Sequence, residues 1–283
     1  MTDDLATKAR RFRALHRRDG AFIIPNAWDA GSARILSLSG FEAIATTSAG
    51  VCFSKGLPDY EDRLSRADML TRYGEIAAAV DLPVSGDLEA GYGDSPEAVA
   101  ETIRLSVAAG MVGGSIEDHC ADPAAPLYDI ERATDRIRAA REAADGSGID
   151  YTLTARAECY LVGHADPFAE SVRRLNRYRE AGADCLYAPG VKDAETIAAL
   201  VNAVDGPINV VMGLAGAALT AGELSALGVK RISVGGSLAR ATYAVIRDAA
   251  REMAEFGTFS FAEKAISDRE LTAIFAGFED GAA

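Results

Sequence analysis

Short apolar runs alternate with amphipathic stretches along almost the whole chain. The apolar runs lie at 22–25, 43–46, 83–87, 113–117, 151–156, 185–187, 208–211 and 231–234. Their continuous apolar character fits buried parallel strands. Helical patterns of about 10–15 residues follow them in turn. These centre near Ile35, Ile76, Val99, Ile137, Val172, Ile197, Leu224 and Ile246. Four stretches share a rhyme: SGFEAIAT, AGMVGGSIED, AGADCLYAPG and LGVKRISVGG each place a Gly just ahead of a strand. A Gly there is the expected left-handed stop of the preceding helix.

Successive βα units predict an α/β protein. Eight of them over roughly 230 residues suit one closed (β/α)8 TIM barrel, spanning about 21–256. The alternative is an open, doubly wound sheet. Such a sheet would commonly carry a Gly-rich phosphate turn after its first strand, whereas here that strand runs into PNAWDAG. The GLAGAAL stretch after the seventh strand reads as a turn. Ahead of the barrel, about 3–18 predicts an amphipathic helix with Leu5, Phe12 and Leu15 as its apolar members. Behind it, about 259–280 predicts a helical extension. Phe261, Ile266, Leu271, Ile274, Phe275 and Phe278 make it too apolar to stand free in water. It packs back on its own barrel or docks on a second subunit, and the subunit contact is the favoured reading. No low-complexity linker marks a boundary, so 1–283 is expected to be a single domain.

Composition narrows the function class. The chain has 283 residues, 49% of them hydrophobic, and a formal net charge of −13. The apolar share suffices for a large core. The acidic balance argues against nucleic acid and anionic membranes as partners. No run approaches the roughly 18 apolar residues of a membrane span, and the N-terminus lacks a signal-peptide core. Cys52, Cys120, Cys159 and Cys185 are scattered without a C-x-x-C pair, which fits reduced thiols in a cytoplasmic enzyme.

In a barrel of this kind the C-terminal ends of the strands face the active site. Those ends offer Asn26, Trp28 and Asp29; Thr46, Thr47 and Ser48; Asp87 and Glu89; Glu117 and Asp118; Arg156 and Glu158; Tyr187; Asn209; and the Gly235-Gly236 turn. Asp87 and Glu89, two residues apart at a strand end, point to one side. Like charges there need a compensating cation, and a hard divalent metal is the usual one. All-oxygen ligands select Mg²⁺ or Mn²⁺ over zinc. The three histidines, His16, His119 and His164, form no zinc spacing. His119 directly follows the fourth-strand acids and is a candidate proton carrier. No G-x-S-x-G elbow is present, so acyl transfer through a serine is not expected.

Read together, IPNAWDAGSA, TTSAG…GLPD, DLEAGYGD, GGSIED, LTARAE and RISVGGSLAR resemble the isocitrate lyase/phosphoenolpyruvate mutase superfamily, from Phe22 to about Phe259. DLEAGYG is similar to the family's D-x-D-x-G-Y-G, with Glu89 in place of the second Asp. The resemblance implies a modified barrel that forms dimers or tetramers by exchanging C-terminal helices. It implies Mg²⁺ or Mn²⁺ near Asp87, Glu89 and Glu117, and a 2-oxo acid or its adduct as ligand. The ligand's carboxylate would sit in the turn Thr47, Ser48, Ala49 and Gly50, near Arg156. Asp59 of GLPD, Trp28, Asn209 and Gly235 complete the expected substrate contacts.

Two departures bear on the reaction. The family's lyases carry K-K/R-C-G-H soon after the fourth-strand acids, and its Cys transfers the proton. Here that region reads EDHCADPAAPLYD; Cys120 comes too early and no Gly-His follows. The mutases carry an Asn in a gating loop, and VCFSKGLPDYEDR has none. The common remainder is metal–enolate chemistry: C–C cleavage or decarboxylation of a small 2-oxo or 2-hydroxy di- or tricarboxylic acid. Arg156 would neutralise charge, and Glu117, His119 or Tyr187 would serve as base. The alternatives are phosphonopyruvate-type hydrolysis or mutation, and a 2-oxo-acid-binding paralogue with little turnover.

Overall fold

A computed structural model describes residues 2–59, 63–214 and 219–279. Parts of two sequence features, 60–62 of the VCFSKGLPDYEDR loop and 215–218 of GLAGAAL, lie outside these residues, as does the last residue of the expected extension, at 280.

The strands are β1 (Phe22–Ile24), β2 (Asn26–Ala27), β3 (Ile44–Thr46), β4 (Val84–Asp87), β5 (Gly113–Glu117), β6 (Thr152–Arg156), β7 (Cys185–Tyr187), β8 (Ile208–Val211) and β9 (Arg231–Ser233). All neighbouring pairs are parallel, in the order β1-β9-β8-β7-β6-β5-β4-β3-β2. The predicted first strand is split at Pro25, which has no N–H to give a ladder. Its first piece pairs with β9 and its second with β3, so one strand position joins both ends of the sheet. Across the break, Pro25 O still accepts from Ala45 N at 2.9 Å. Asn26 seals the seam: its amide donates to Thr46 O (2.6 Å) and accepts from the N–H groups of Val234 and Gly235 (3.0 and 2.9 Å). The architecture is a nearly closed (β/α)8 barrel.

The helices are α1 (Thr2–Leu15), α2 (Ala30–Ser37), α3 (Ser48–Ser54), α4 (Arg66–Ala78), α5 (Pro96–Ala108), α6 (Ile130–Asp145), α7 (Pro167–Glu180), α8 (Ala194–Ala203), α9 (Ala221–Ala226), α10 (Ser237–Phe256) and α11 (Asp268–Glu279). The rhymed glycines Gly40, Gly110, Gly182 and Gly228 all have φ between 81° and 104°, the expected left-handed stop. The core fills the space between strands and helices, with Ile44, Val84, Ile103, Met111, Leu153, Leu186 and Ile208 almost fully buried. A second cluster closes the barrel floor, where Phe12 and Leu15 of α1 meet Phe22, Ile24 and Val112. Asp184 links α1 to α6, pairing with Arg13 of α1 (2.6 Å) and Arg141 of α6 (2.9 Å).

One expectation changes and another gains detail. The turn at Thr47–Gly50 is the start of α3, with Thr47 as its N-cap. The C-terminal extension is a short 3-10 turn (Ser260–Lys264) followed by α11. This helix lies against α2 of its own chain: the Arg34 guanidinium stands 5.1 Å over the Phe278 ring, and Phe275 faces Gly31. Exposed apolar residues remain on α10 and just beyond it, including Val245, Ile246, Phe256 and Phe259.

Candidate active site

Strand register determines which side chains meet at the barrel mouth. Glu117 of β5 is level with Arg156 of β6, and Arg156 with Tyr187 of β7. Asp87 of β4 is level with Ser115, one inward position lower on β5. Arg156 is the hub. Its Nη1 donates to Asp87 Oδ1 (3.1 Å), its Nη2 pairs with Glu117 Oε2 (2.9 Å), and its Nε donates to Glu158 Oε1 (2.8 Å). Its guanidinium carbon lies 5.4 Å over the Tyr187 ring. Asp87 is held from every side. Ser48 reaches Oδ2 through its N–H and its hydroxyl (3.3 Å each), and the Ser115 hydroxyl reaches Oδ1 (3.4 Å). Its backbone N–H donates to Thr46 Oγ1 (2.9 Å), and its carbonyl accepts from the Tyr73 hydroxyl (2.6 Å).

The electrostatics are those of a crowded acid cluster. Burial pushes the Glu89 carboxyl up to about 8, with Asp87 and Glu117 adding repulsion and Arg156 opposing it. Burial and then Asp87 raise Asp59 to about 6. Glu117 and Glu158 are also raised, mainly by burial, against the pull of Arg156. Burial works against the charge of Arg156 too, but Glu117, Glu158 and Asp87 more than offset it. Five carboxyl groups thus share one guanidinium.

The remaining candidates fall into two groups. Trp28 presses on α3, where a Cβ added to Gly50 would stand 2.7 Å from both Trp28 Cβ and Thr47 Cγ2. Ala49 faces Gly236 across the same seam, and Gly235 is tied to Asn26. His119 is half-buried and pairs with Leu127 in an antiparallel bridge that closes the loop after β5. Asn209 is level with Tyr187 but is bonded to Arg231 Nε (2.8 Å) and Ser233 Oγ (3.0 Å). Two strand-end acids serve the scaffold. Asp29 caps α2. Asp118 points away from Glu117 and takes Arg174 Nη1 (3.0 Å), the Tyr178 hydroxyl (2.6 Å) and Glu158 N (2.9 Å). Tyr73 and Ser115 were not singled out from the sequence. Ser115 could have been, since it shares the inward face of β5 with Glu117.

The donor set suits a hard divalent cation: Asp87, Glu89 and Glu117 are oxygen ligands in a pocket with surplus negative charge. The Tyr92 hydroxyl points the same way, being buried near Glu89 and Asp87 with no partner. Among the described residues, no three Asp, Glu, His or Cys side chains are already gathered at ligating distance. Asp87 and Glu117 are turned instead onto Arg156.

Comparison with known proteins places this mouth among relatives. The family described as phosphoenolpyruvate phosphomutase matches residues 12–254. A crystal structure from Burkholderia cenocepacia J2315, provisionally assigned as a lyase/mutase, is 53% identical with a TM-score of 0.94 and 97% of each chain covered. The 2-methylisocitrate lyase of Escherichia coli K12 is 29% identical over 211 residues, 72% of this chain and 69% of that protein. Oxaloacetate acetylhydrolase bound to its product oxalate is 25% identical with a TM-score of 0.87, over 98% of this chain and 96% of that one.

Proposed function

This chain belongs to the phosphoenolpyruvate phosphomutase family, within the isocitrate lyase/phosphoenolpyruvate mutase superfamily of lyases and mutases, and from that premise we propose that it cleaves a C–C bond in a small 2-oxo or 2-hydroxy di- or tricarboxylic acid. The observation that carries this reading is the Arg156 hub, a single guanidinium at the mouth with Asp87, Glu117 and Glu158 around it. The names of the relatives support the substrate class: one acts on 2-methylisocitrate and another on oxaloacetate.

Asp87, Glu89 and Glu117 would hold Mg²⁺ or Mn²⁺. When bound, the cation supplies Lewis acidity that draws electron density from the substrate's 2-oxo group. Arg156 binds a substrate carboxylate and offsets the charge that develops when the bond breaks and its electron pair is left as an enolate. Thr47, Ser48, Ala49 and Gly50, with Trp28, form the wall that receives the carboxylate, and Asp59, Asn209 and Gly235 border the same mouth. Decarboxylation needs only that the enolate be protonated afterwards. Cleavage of a 2-hydroxy acid also needs a base at the hydroxyl, for which Glu117, His119 and Tyr187 are the candidates. We place the enzyme in the cytoplasm, acting as a dimer or tetramer of identical chains.

A panel of 2-oxo and 2-hydroxy diacids with Mg²⁺ or Mn²⁺, read out for pyruvate, CO₂, acetate and oxalate, tests the reading. Turnover of at least one acid is expected. Silence on every acid together with turnover of phosphonopyruvate would select the phosphonate alternative. Silence on all of them with measurable binding would select the binding paralogue.

A further inference from the structure

Glu89 does not lie in regular strand. Its φ is +48°, and Tyr92 follows at +55°, with Gly91 and Gly93 also positive. A left-handed non-glycine residue is strained, and two in four residues persist only when the surroundings fix them. The carbonyls of this turn show what does so. Glu89 O accepts from Glu117 N (3.0 Å), and Gly91 O from the Thr102 hydroxyl (2.7 Å). Ala90 O and Gly93 O are both taken by one side chain, Arg136 of α6, through Nη2 and Nη1, the latter at 2.6 Å.

Arg136 is 1% exposed, heads the largest fully buried side chains, and forms no ion pair among the described residues. Burying an unpaired guanidinium is costly unless its donors are met. Its carbonyl bonds and the Tyr128 ring, 4.2 Å from the guanidinium carbon, meet that need. Tyr128 in turn donates its hydroxyl to Asp94 Oδ1 (2.5 Å), at the end of the same turn. Tyr128 closes the loop that follows β5, with its N–H on Asp118 O and its carbonyl on Arg174 Nη1 (2.9 Å each).

We propose that Arg136, seated on Tyr128, is a positioning residue that fixes the left-handed turn presenting the Glu89 carboxylate at the barrel mouth, and so sets cation affinity without touching cation or substrate. The inference rests on the functional reading above. It also gives the loop after β5 a role: in this chain that loop is bridged shut and braces the Glu89 turn.

The test compares Mn²⁺ affinity, from electron paramagnetic resonance titration of free Mn²⁺, and kcat and KM in wild type, Arg136→Lys and Tyr128→Phe. Lys keeps the charge but cannot span two carbonyls. Phe keeps the ring and loses only the Asp94 bond, which protects folding. Arg136→Lys should bind Mn²⁺ at least tenfold more weakly and lose kcat, with circular dichroism unchanged; Tyr128→Phe should show a smaller loss of both. If wild type binds Mn²⁺ and both variants match it within twofold, the inference is overturned and the functional reading stands. If wild type binds no Mn²⁺, both fall together.

Discussion

Arg156 and Arg231 both lie inside the barrel, and their partners set them apart. Arg156 is surrounded by carboxylates. Arg231 is 5% exposed, gives its Nε to the neutral Asn209, leaves Nη1 without a partner, and makes no ion pair among the described residues. His16 lies near it on the floor, wedged edge-on against Phe12 and Phe22 at 4.8 and 4.9 Å. Its Nδ1 lies 2.9 Å from Phe12 O, and its Nε2 has no partner. Burial first, and Arg231 second, lower its pKa from 6.5 to about 3. Above pH 6.5 the ring is neutral folded and unfolded, and the full stability is present. As pH falls below 6.5 the unfolded chain takes up a proton that the folded chain refuses. Stability then drops by up to about 1.4 kcal/mol per pH unit until the folded pKa is reached. Melting temperatures of wild type and His16→Gln between pH 7 and pH 4 check this. The wild type should fall more steeply, and parallel slopes would show that His16 carries no such linkage.

At the level of elements, α10 leaves the most unexplained surface. It spans 20 residues, yet Ala239 is its one buried member. Val245 and Ile246 are 65% and 57% exposed, and Phe256 and Phe259 continue the apolar surface. Since α11 lies against α2 of its own chain, it does not cover them. A second copy of this chain is the expected cover. Sedimentation at micromolar concentration should find a dimer or larger assembly, and Val245→Glu with Ile246→Glu should shift it to monomer. A monomeric wild type would contradict this. The strands were legible in the sequence because buried parallel strands read as continuous apolar runs and each rhymed Gly marks a stop. The helix α3 was not. SAGVCFS is short and holds Gly and β-branched Val, so it has little intrinsic helicity. The Thr47 cap and the close fit of Gly50 against Trp28 hold it instead. Glu117 and Asp118 are adjacent in sequence, but only alternation tells them apart. The partner of Asp118, Arg174, is 56 residues away, so no local pattern announced that pairing. Arg136 had a signal that was passed over: it shares the inward stripe of α6 with Ala133, Ile137 and Ala140.

For the whole molecule, the barrel gathers five carboxyl groups at its mouth. Asp87 and Glu117 repel Asp59 and Glu89 there, and Glu117 repels Glu158, while the floor is closed by aromatic and aliphatic side chains. Among the described residues no helix is long and apolar enough to cross a membrane. The central claim is that the acid cluster binds a divalent cation and that this binding and turnover are one property of the site. Asp87 tests it, because it bonds Arg156, Ser48 and Ser115 at once. The decisive measurement is Mn²⁺ affinity alongside turnover of the best acid from the panel, in wild type and Asp87→Ala. The account predicts that the variant, still folded, loses both together, with affinity down at least a hundredfold. An Asp87→Ala protein that kept full Mn²⁺ affinity would contradict it.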